Sequence, residues 1–244
     1  YGIKTGFNDA FIINTEKRNE ILDNCCSDEE RTKTAELIRP ILRGRDIKRY
    51  GYNWADLWLI ATFPSRHYDI EMYPAVKAHL LSFGKERLEQ TGKKYIINGE
   101  EIKARKKTSN KWFETQDSIS YWDDFLLPKL IYPETTQGAF FAYDETGLFL
   151  DKTCFMMISK HARYLQATLS SQLFEFAYKR IFSSVELGQH GFQYNKHALI
   201  KLHVKKFNES DSVAYSDEFF YNCYGITNEE IEYIVGAIQS LQNQ

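Results

Sequence analysis

The sequence lacks the features of a secreted disulfide-bonded domain and those of a membrane protein. Its four cysteines include an adjacent pair, Cys25 and Cys26, and they form neither a C-x-x-C motif nor a zinc-binding spacing. This pattern favours a reducing compartment over a disulfide framework. No apolar run approaches the ~18–20 residues that a membrane helix needs, and no signal peptide is visible. We therefore expect a soluble, cytoplasmic protein.

Motifs of the common enzyme classes are also missing. The sequence contains no G-x-S-x-G, no H-E-x-x-H and no P-loop lysine motif. It also lacks the Asn-Pro-Pro-aromatic signature of adenine methyltransferases and a glycine-rich cofactor loop. These absences favour a domain that binds over a domain with chemistry of its own.

Two weaker patterns leave a metal-dependent enzyme open as an alternative. Glu101 and Lys103 form the E-x-K half of a metal-dependent nuclease site, to which Asp69 would add a further acid. E-x-K is common by chance, and this pair lies in a run of mixed charge that equally predicts a solvated ribbon. Nothing in the sequence makes three histidines converge on a metal ion, so we expect surface or core positions for His190, His197 and His203.

Strand-like segments dominate the first part of the chain. Residues 54–63, 125–134 and 152–159 are rich in β-branched and aromatic side chains and predict strands. Residues 138–150 predict a hairpin, with two aromatic-rich runs around a turn. Residues 92–111 combine glycines with charged side chains and predict a loop or ribbon.

Helix signals are strongest in the last third. Residues 161–182 place one apolar face at helical spacing and predict a single amphipathic helix. A helix is also predicted from Pro74 to about Glu89, where proline suits the first turn. Two capping boxes predict helix starts, at Ser27 with Glu30 and at Thr227 with Glu230.

Together these patterns predict an α+β fold with a mixed β-sheet. We expect one domain over residues 1–244, with a β-rich part at 1–160 and amphipathic helices packed as a scaffold at 161–244.

Positive charge is concentrated in the first half of a nearly neutral chain. The formal net charge is −2, yet residues 39–50 contain five cations beside one acid, and residues 93–111 contain seven cations beside two acids. After Lys206 there is no lysine or arginine, while seven acids follow. The two ends of the chain therefore have different electrostatic roles.

The first basic stretch, RPILRGRDIKRY, surrounds Gly44. A guanidinium pairs bidentately with phosphate or with guanine, and a glycine lets the backbone approach a ligand closely. The same residues equally predict structural ion pairs, for instance Asp46 with a neighbouring arginine. The candidate nucleic-acid contacts of this stretch are Arg43, Arg45, Lys48 and Arg49.

The second basic stretch, KARKKTSNKWFE, interleaves cations with small polar donors and ends in two aromatics. Such a loop can follow a phosphate backbone and pack an aromatic ring on a sugar or base. Its candidate contacts are Lys103, Arg105, Lys106, Lys107, Lys111 and Trp112.

The ordered set of segments resembles the TaqI-like C-terminal specificity domain. These segments are YGIKTGFNDAFII, LIRPILRGRDIKRY, KWFE followed by SYWDDFLLPKLIYPE, TCFMMIS and YLQATLSSQLFEFAY. The family is the target-recognition part of type IIG restriction-modification enzymes and related adenine-N6 DNA methyltransferases. One departure is LIKLHVKKF at residues 199–207, where family members tend to have a proline-containing strand.

The resemblance implies that the chain reads double-stranded DNA for a methyltransferase domain, and in some members a nuclease domain, that precedes it in the same polypeptide. It implies no cofactor in this chain, because S-adenosylmethionine and Mg²⁺ belong to those catalytic domains. We accordingly expect the sequence, which begins at Tyr1 inside a structured segment, to be a piece of a longer protein.

The stretch matches the family's Arg-Gly-Arg-Asp-Ile segment, so the resemblance extends to Gly44, Arg45 and Asp46 individually. A segment shared by members that read different targets suits a structural role, so residues 103–113 are the better candidate for base contact. The remaining alternatives are the nuclease reading and a protein-interaction module that uses the aromatics as a docking face.

Overall fold

Short strands and helices build an α+β fold, in a computed structural model that describes residues 2–182, 186–187, 191–206 and 215–242. The helices are α1 (Asn8–Phe11), α2 (Thr15–Asp23), α3 (Asp28–Leu37), α4 (Pro74–Leu81), α5 (Lys85–Leu88), α6 (Ala162–Ser170), α7 (Gln172–Ile181), α8 (Lys196–Leu199), α9 (Asp217–Tyr224) and α10 (Asn228–Gln242). The strands are β1 (Ile12–Asn14), β2 (Ile38–Leu42), β3 (Ile47–Lys48), β4 (Gly51–Tyr52), β5 (Leu57–Ile60), β6 (Lys94–Ile97), β7 (Glu100–Lys103), β8 (Lys129–Pro133), β9 (Thr135–Thr136), β10 (Ala142–Asp144), β11 (Phe149–Leu150), β12 (Cys154–Met157), β13 (Glu186–Leu187) and β14 (Gly191–Gln193). The predicted fold class is confirmed.

The principal sheet is mixed, with strand order β1-β5-β2-β11. β5 pairs antiparallel with β1 and β2, whereas β11 runs parallel to β2. A second sheet, β10-β8-β12, is antiparallel throughout. The predicted ribbon at 92–111 contains the β6–β7 hairpin, in which Lys94 lies opposite Lys103.

The β10-β8-β12 sheet separates two hydrophobic clusters. On β8, Ile131 belongs to the cluster formed with α1–α5 and the principal sheet, whereas Leu130 and Tyr132 belong to the cluster with α6, α7 and α8. The side chains of β12 alternate between the two clusters in the same way, because Cys154 and Phe155 belong to different clusters. Side chains of a strand alternate between its faces, so a sheet with a core on each face needs continuous apolar strands.

The predicted hairpin at 138–150 is wrong. β10 pairs with β8, but β11 leaves this sheet and pairs with β2. Asp144 fixes the turn, because its carboxylate accepts hydrogen bonds from Thr146 N (3.0 Å), Leu148 N (3.1 Å) and Lys129 Nζ (2.5 Å). The turn signal was therefore correct, while the partner of the second strand was not.

The single helix predicted at 161–182 is also wrong, because the chain breaks at Ser171. This residue is extended, and its hydroxyl accepts a hydrogen bond from Phe174 N (3.3 Å) and caps α7. The helix predicted from Pro74 ends at Leu81, and α5 starts after Gly84, whose φ of +86° favours glycine. Both capping boxes do start helices, α3 and α10.

Helices and strands lie on both sides of residue 160. Helices α1–α5 lie within residues 1–160, and β14 joins β9 across the boundary. A buried charge network also crosses it: Glu175 on α7 is fully buried and pairs with Arg49 and with Lys179 (2.7 Å). Such a network holds the two parts together, because a buried carboxylate is costly without its cations.

Candidate nucleic-acid-binding surface

The first basic stretch is partly a structural brace. Arg43 donates from Nε and a terminal nitrogen to both carboxylate oxygens of Asp46, at 2.7 Å and 3.0 Å. This bidentate hydrogen bond raises the pKa of Arg43. Of the two interpretations of the stretch, ion pairing therefore applies to Arg43.

Gly44 brings the backbone close to another segment of its own chain, so the close approach that its missing side chain permits is used within the fold. Its N–H donates to Thr153 Oγ1 at 2.8 Å, and a Cβ at this position would lie 2.9 Å from the carbonyl oxygen of Thr153. The stretch therefore folds against the start of β12, and any larger residue would push the two segments apart.

The other cations of this stretch divide into two kinds. Arg49 is committed to the buried Glu175, which corrects its prediction as a DNA contact. Arg45 and Lys48 are exposed, and Lys48 Nζ donates to the carbonyl oxygen of Arg45 at 3.2 Å. Within the described residues, neither of these two side chains has a carboxylate within 4 Å.

The second basic stretch contains one arginine that is buried. Arg105 is 4% exposed, and its guanidinium donates to four carbonyl oxygens at 2.7–2.8 Å, those of Thr5, Leu88, Trp112 and Glu114. Burial lowers its pKa to about 10. The prediction of Arg105 as a DNA contact fails because the side chain is inside, where it ties the first residues of the chain to the loop that follows it.

The remaining candidates of this stretch are exposed, with one exception. Lys103, Lys106, Lys107 and Lys111 reach solvent. Trp112 is half-buried, packs edge-to-face on Phe113 with ring centroids 5.6 Å apart, and lies against the larger cluster. Trp112 therefore belongs to the core, and we leave it out of the proposed contacts.

Each basic stretch lines a groove. We name the first the arginine groove: it has a volume of about 480 Å³, and its lining includes Asn8, Arg43, Arg45, Glu134, Asp151 and Lys152. We name the second the polar groove: it has a volume of about 670 Å³, and its lining includes Lys4, Thr108, Ser109, Asn110, Gln116, Ser118, Ser120 and Lys152. Lys152 lines both, so the two grooves are neighbours.

Sequence reasoning missed several residues of this surface. Lys4 and Lys152 are isolated cations in sequence, and the 116–120 segment carries no basic signal. Backbone pairing brings them together, because Gln116 N and Asp117 N both donate to the carbonyl oxygen of Lys4, at 3.1 Å and 3.2 Å. Only a long-range contact of this kind could have identified them.

The polar groove has a partly fixed floor. Asn110 donates from its side-chain amide to the carbonyl oxygens of Thr115 (3.2 Å) and Gln116 (2.9 Å), so it braces the loop. Ser109, Gln116 and Ser118 carry no side-chain hydrogen bond to other described residues and offer neutral donors and acceptors.

The nuclease alternative gains no support from the structure. Asp69 caps a 3-10 turn by accepting from Glu71 N (3.1 Å), and Glu101 pairs with Lys94 (2.9 Å). In the described ranges, no group of three or more His, Cys, Asp or Glu residues could hold a metal ion. Of the histidines considered, His197 and His203 are exposed, and His190 lies outside the described residues.

Over the same ranges, no helix is long and apolar enough to cross a membrane.

Comparisons with known proteins agree with this geometry. A model of the TaqI-like C-terminal specificity domain family matches residues 39–202, which include both basic stretches. Among solved structures, the fold is similar to that of the Type IIL restriction-modification enzyme MmeI in complex with DNA, with a TM-score of 0.56 and 13% sequence identity. The match covers 100% of this chain and 35% of that chain, so this chain spans about a third of that enzyme. At this identity the similarity concerns the fold.

Proposed function

The chain belongs to the TaqI-like C-terminal specificity domain family, and from this premise we propose that it recognises the DNA target of a restriction-modification enzyme. One observation carries the proposal at the level of residues. The first basic stretch lines the arginine groove with Arg43 and Arg45, and the second lines the polar groove with its neutral residues Thr108, Ser109 and Asn110. Lys152 lines both grooves, and Lys4 adds a cation to the polar groove. A surface of this kind suits a nucleic-acid backbone, which presents a row of phosphates to several cations.

In this proposal the exposed cations hold phosphates. Arg45 and Lys152 contact the backbone at the arginine groove, and Lys4 contacts it at the polar groove. The exposed lysines at 103, 106, 107 and 111 line neither groove, and in this proposal they are further phosphate contacts. Lys48 adds a further exposed cation beside Arg45. Phosphate contacts fix the orientation of the protein on the duplex but carry no sequence information.

Neutral side chains of the polar groove read base edges. Gln116 is suited to a bidentate contact with adenine N6 and N7, and the serines of the groove accept or donate as the base requires. Each good bidentate contact contributes about 1–3 kcal/mol of discrimination against the wrong base. Sequence specificity thus resides in the 108–120 region, and affinity resides in the cations around it.

The chemistry lies elsewhere in this proposal. A methyltransferase domain, with or without a nuclease, supplies the reaction and holds S-adenosylmethionine and Mg²⁺, as in a type IIG enzyme that modifies adenine. An enzyme that modifies a base must take it out of the stack, and this domain grips the duplex around the extruded base. We place the protein in the cytoplasm, where such an enzyme meets DNA.

The proposal is tested by selection and by salt titration. Selection from a library of randomised duplexes with the 244-residue chain is expected to enrich one sequence motif. On the enriched duplex, log K falls with log salt by about 0.9 for each phosphate contacted. Replacing Arg45 and Lys152 together by alanine is therefore expected to reduce the slope of log K against log salt by about 1.8. For a fourfold rise in salt, the variant should then lose affinity by a factor about 12-fold smaller than the wild-type chain does.

The matched control removes two other cations. Lys17 and Arg163 are exposed, each pairs with a carboxylate, and neither lines the two grooves. The double replacement Lys17→Ala with Arg163→Ala is expected to leave the slope unchanged. Enrichment of no motif, or equal slopes for the two double variants, would refute the proposed site.

A further inference from the structure

A third cleft lies beside the polar groove and has a different chemistry. It has a volume of about 430 Å³, and aromatic and cationic side chains line it, among them Arg39, Arg66, Tyr68, Tyr73 and Trp122. We name it the aromatic cleft. Its size falls in the range of about 300–1,000 Å³ that small-ligand sites occupy.

Two guanidinium groups in this cleft are placed to bind an anion. Arg66 lies over the ring of Trp122, with Cζ 4.1 Å from the ring centroid, and Arg39 lies 5.7 Å from the centroid of Phe149. Among the described residues, neither guanidinium has a hydrogen-bond partner or a carboxylate within 4 Å. A guanidinium held over a ring uses its face and keeps its in-plane N–H donors for a phosphate.

The charge balance of the cleft is positive. Lys33, Arg39 and Arg66 line it together with one acid, Glu36, and Lys33 is paired with Glu29 at 2.5 Å. The two arginines therefore supply the unneutralised charge. They are also exposed or half-exposed, so an anion can reach them from solvent.

Two tyrosines add a surface for a planar ring. Tyr68 and Tyr73 are half-buried and stand at 88° to each other, with centroids 5.9 Å apart. Aromatic side chains of this kind stack unpaired nucleobases with little dependence on base identity. A phosphate site beside a stacking surface matches one nucleotide.

Consecutive residues of one segment line the polar groove and the aromatic cleft. Tyr121 lines the polar groove, and the next residue, Trp122, lines the cleft. Ser65 precedes Arg66 of the cleft and is bonded to residues 118–119 of the polar groove. Its Oγ donates to Ile119 O (2.8 Å), and its backbone N donates to Ser118 O (3.3 Å). A strand seated in the polar groove therefore passes next to the cleft.

We propose that the aromatic cleft binds one unstacked nucleotide, with its phosphate on Arg39 and Arg66 and its base against Tyr68 and Tyr73. Its position next to the polar groove, at Tyr121 and Trp122, makes a nucleotide of the bound DNA strand the source, and in this form the inference rests on the proposed function. A free mononucleotide has the same chemistry, and the test separates the two sources.

The test compares a duplex of the enriched sequence with the same duplex carrying one unpaired 2-aminopurine nucleotide. The wild-type chain is expected to bind the second duplex roughly 5- to 150-fold more tightly, the range for stacking one base on an aromatic side chain, and to quench its fluorescence. Arg66→Ala and Tyr68→Leu are each expected to reduce this preference and the quenching. Arg66→Lys keeps the charge but loses the fork, and should recover only part of the preference.

Arg163 supplies the matched control. It also lies over an aromatic ring, 4.0 Å from the centroid of Tyr143, but it is paired with Glu145 and lies outside the cleft. Arg163→Ala should keep the full preference. Thermal unfolding of every variant identifies loss of fold, and the exposed position of Arg66 makes its replacements the safest of the set.

The outcomes separate the inference from the proposed function. Equal affinity of the wild-type chain for the two duplexes, or a preference that survives both cleft variants, overturns the inference while DNA binding stands. If the chain binds neither duplex, the proposed function fails, and titration with AMP then tests the cleft alone. AMP binding that is lost in Arg66→Ala supports a free-nucleotide site, and no AMP binding overturns the inference altogether.

Discussion

Replacement of the buried Arg105 by methionine gives a sharp test of the distinction between bracing and binding cations. Methionine keeps the length and the apolar stem but removes all five donors. Four carbonyl oxygens then lose their hydrogen bonds. They belong to three separate segments, around Thr5, Leu88 and residues 112–114, so the change loosens the region that carries the polar groove.

The size of the effect follows from two opposing terms. A buried carbonyl without a donor costs about 1–3 kcal/mol, and there are four of them. Against this, burial lowers the pKa of Arg105 to about 10, so removing the guanidinium relieves a desolvation cost of about 3 kcal/mol. With water reaching the more exposed oxygens, we expect a net loss of about 3–5 kcal/mol in the free energy of unfolding.

Thermal and urea unfolding measure this loss. For a chain of this length about 1 kcal/mol corresponds to about 2–4 °C, so the melting temperature should fall by roughly 6–20 °C. Lys106→Met is the control, because it removes a neighbouring exposed cation and should change stability by less than about 0.5 kcal/mol. The reasoning would be refuted if the Arg105→Met variant kept its stability but bound DNA more weakly, with a smaller slope of log K against log salt. That result is expected of a residue that contacts a phosphate.

Two further predictions concern buried charges. Lys129 and Asp144 are both fully buried and paired at 2.5 Å, so Lys129→Met should cost about 3–5 kcal/mol by leaving a carboxylate unpaired, and adding Asp144→Asn should recover about 1–2 kcal/mol in a double-mutant cycle. A double variant no more stable than Lys129→Met alone would contradict this. The Nε2–H of His79 donates to Ala10 O (3.0 Å), and burial lowers the pKa of its imidazole below 6.5, so the unfolded chain takes up this proton first as the pH falls. The wild-type chain should therefore lose more stability than His79→Gln as the pH falls from about 7.5 to 5 in unfolding experiments, and identical pH profiles would count against it.

Local patterns predicted element type and helix starts well, and they failed where long-range pairing decides. The capping boxes work because Ser27 and Thr227 bond the backbone within the same turn. Residues 161–182 keep the same apolar periodicity on both sides of the helix break at Ser171. The spacing of apolar residues does not report the loss of helical backbone hydrogen bonds at a single position. The parallel pairing of β11 with β2 joins segments about 100 residues apart, which no local signal reports.

The candidate surface shows the same contrast between local sequence signals and long-range contacts. Charge density pointed to two stretches whose residues line grooves, although the second contributes Thr108, Ser109 and Asn110 and none of its cations. It did not identify which cations point to solvent, because Arg49 and Arg105 satisfy partners far away in sequence. It also gave no weight to Lys4 and Lys152, whose neighbours along the chain are not basic.

The four arginines proposed from sequence show why charge alone overstates a binding surface. A planar guanidinium can satisfy several acceptors at once and is less strongly hydrated than an ammonium, which suits it to internal contacts. Arg105 is buried, and Arg43 and Arg49 are half-buried in ion pairs, whereas the predicted lysines of both stretches stay at the surface. Arg45 departs from the pattern, since it is exposed, lines a groove and has no carboxylate within 4 Å in the described part of the chain. In the proposed function, this unpaired arginine fork lies in the groove that Lys152 also lines, where it can pair bidentately with a phosphate of the DNA.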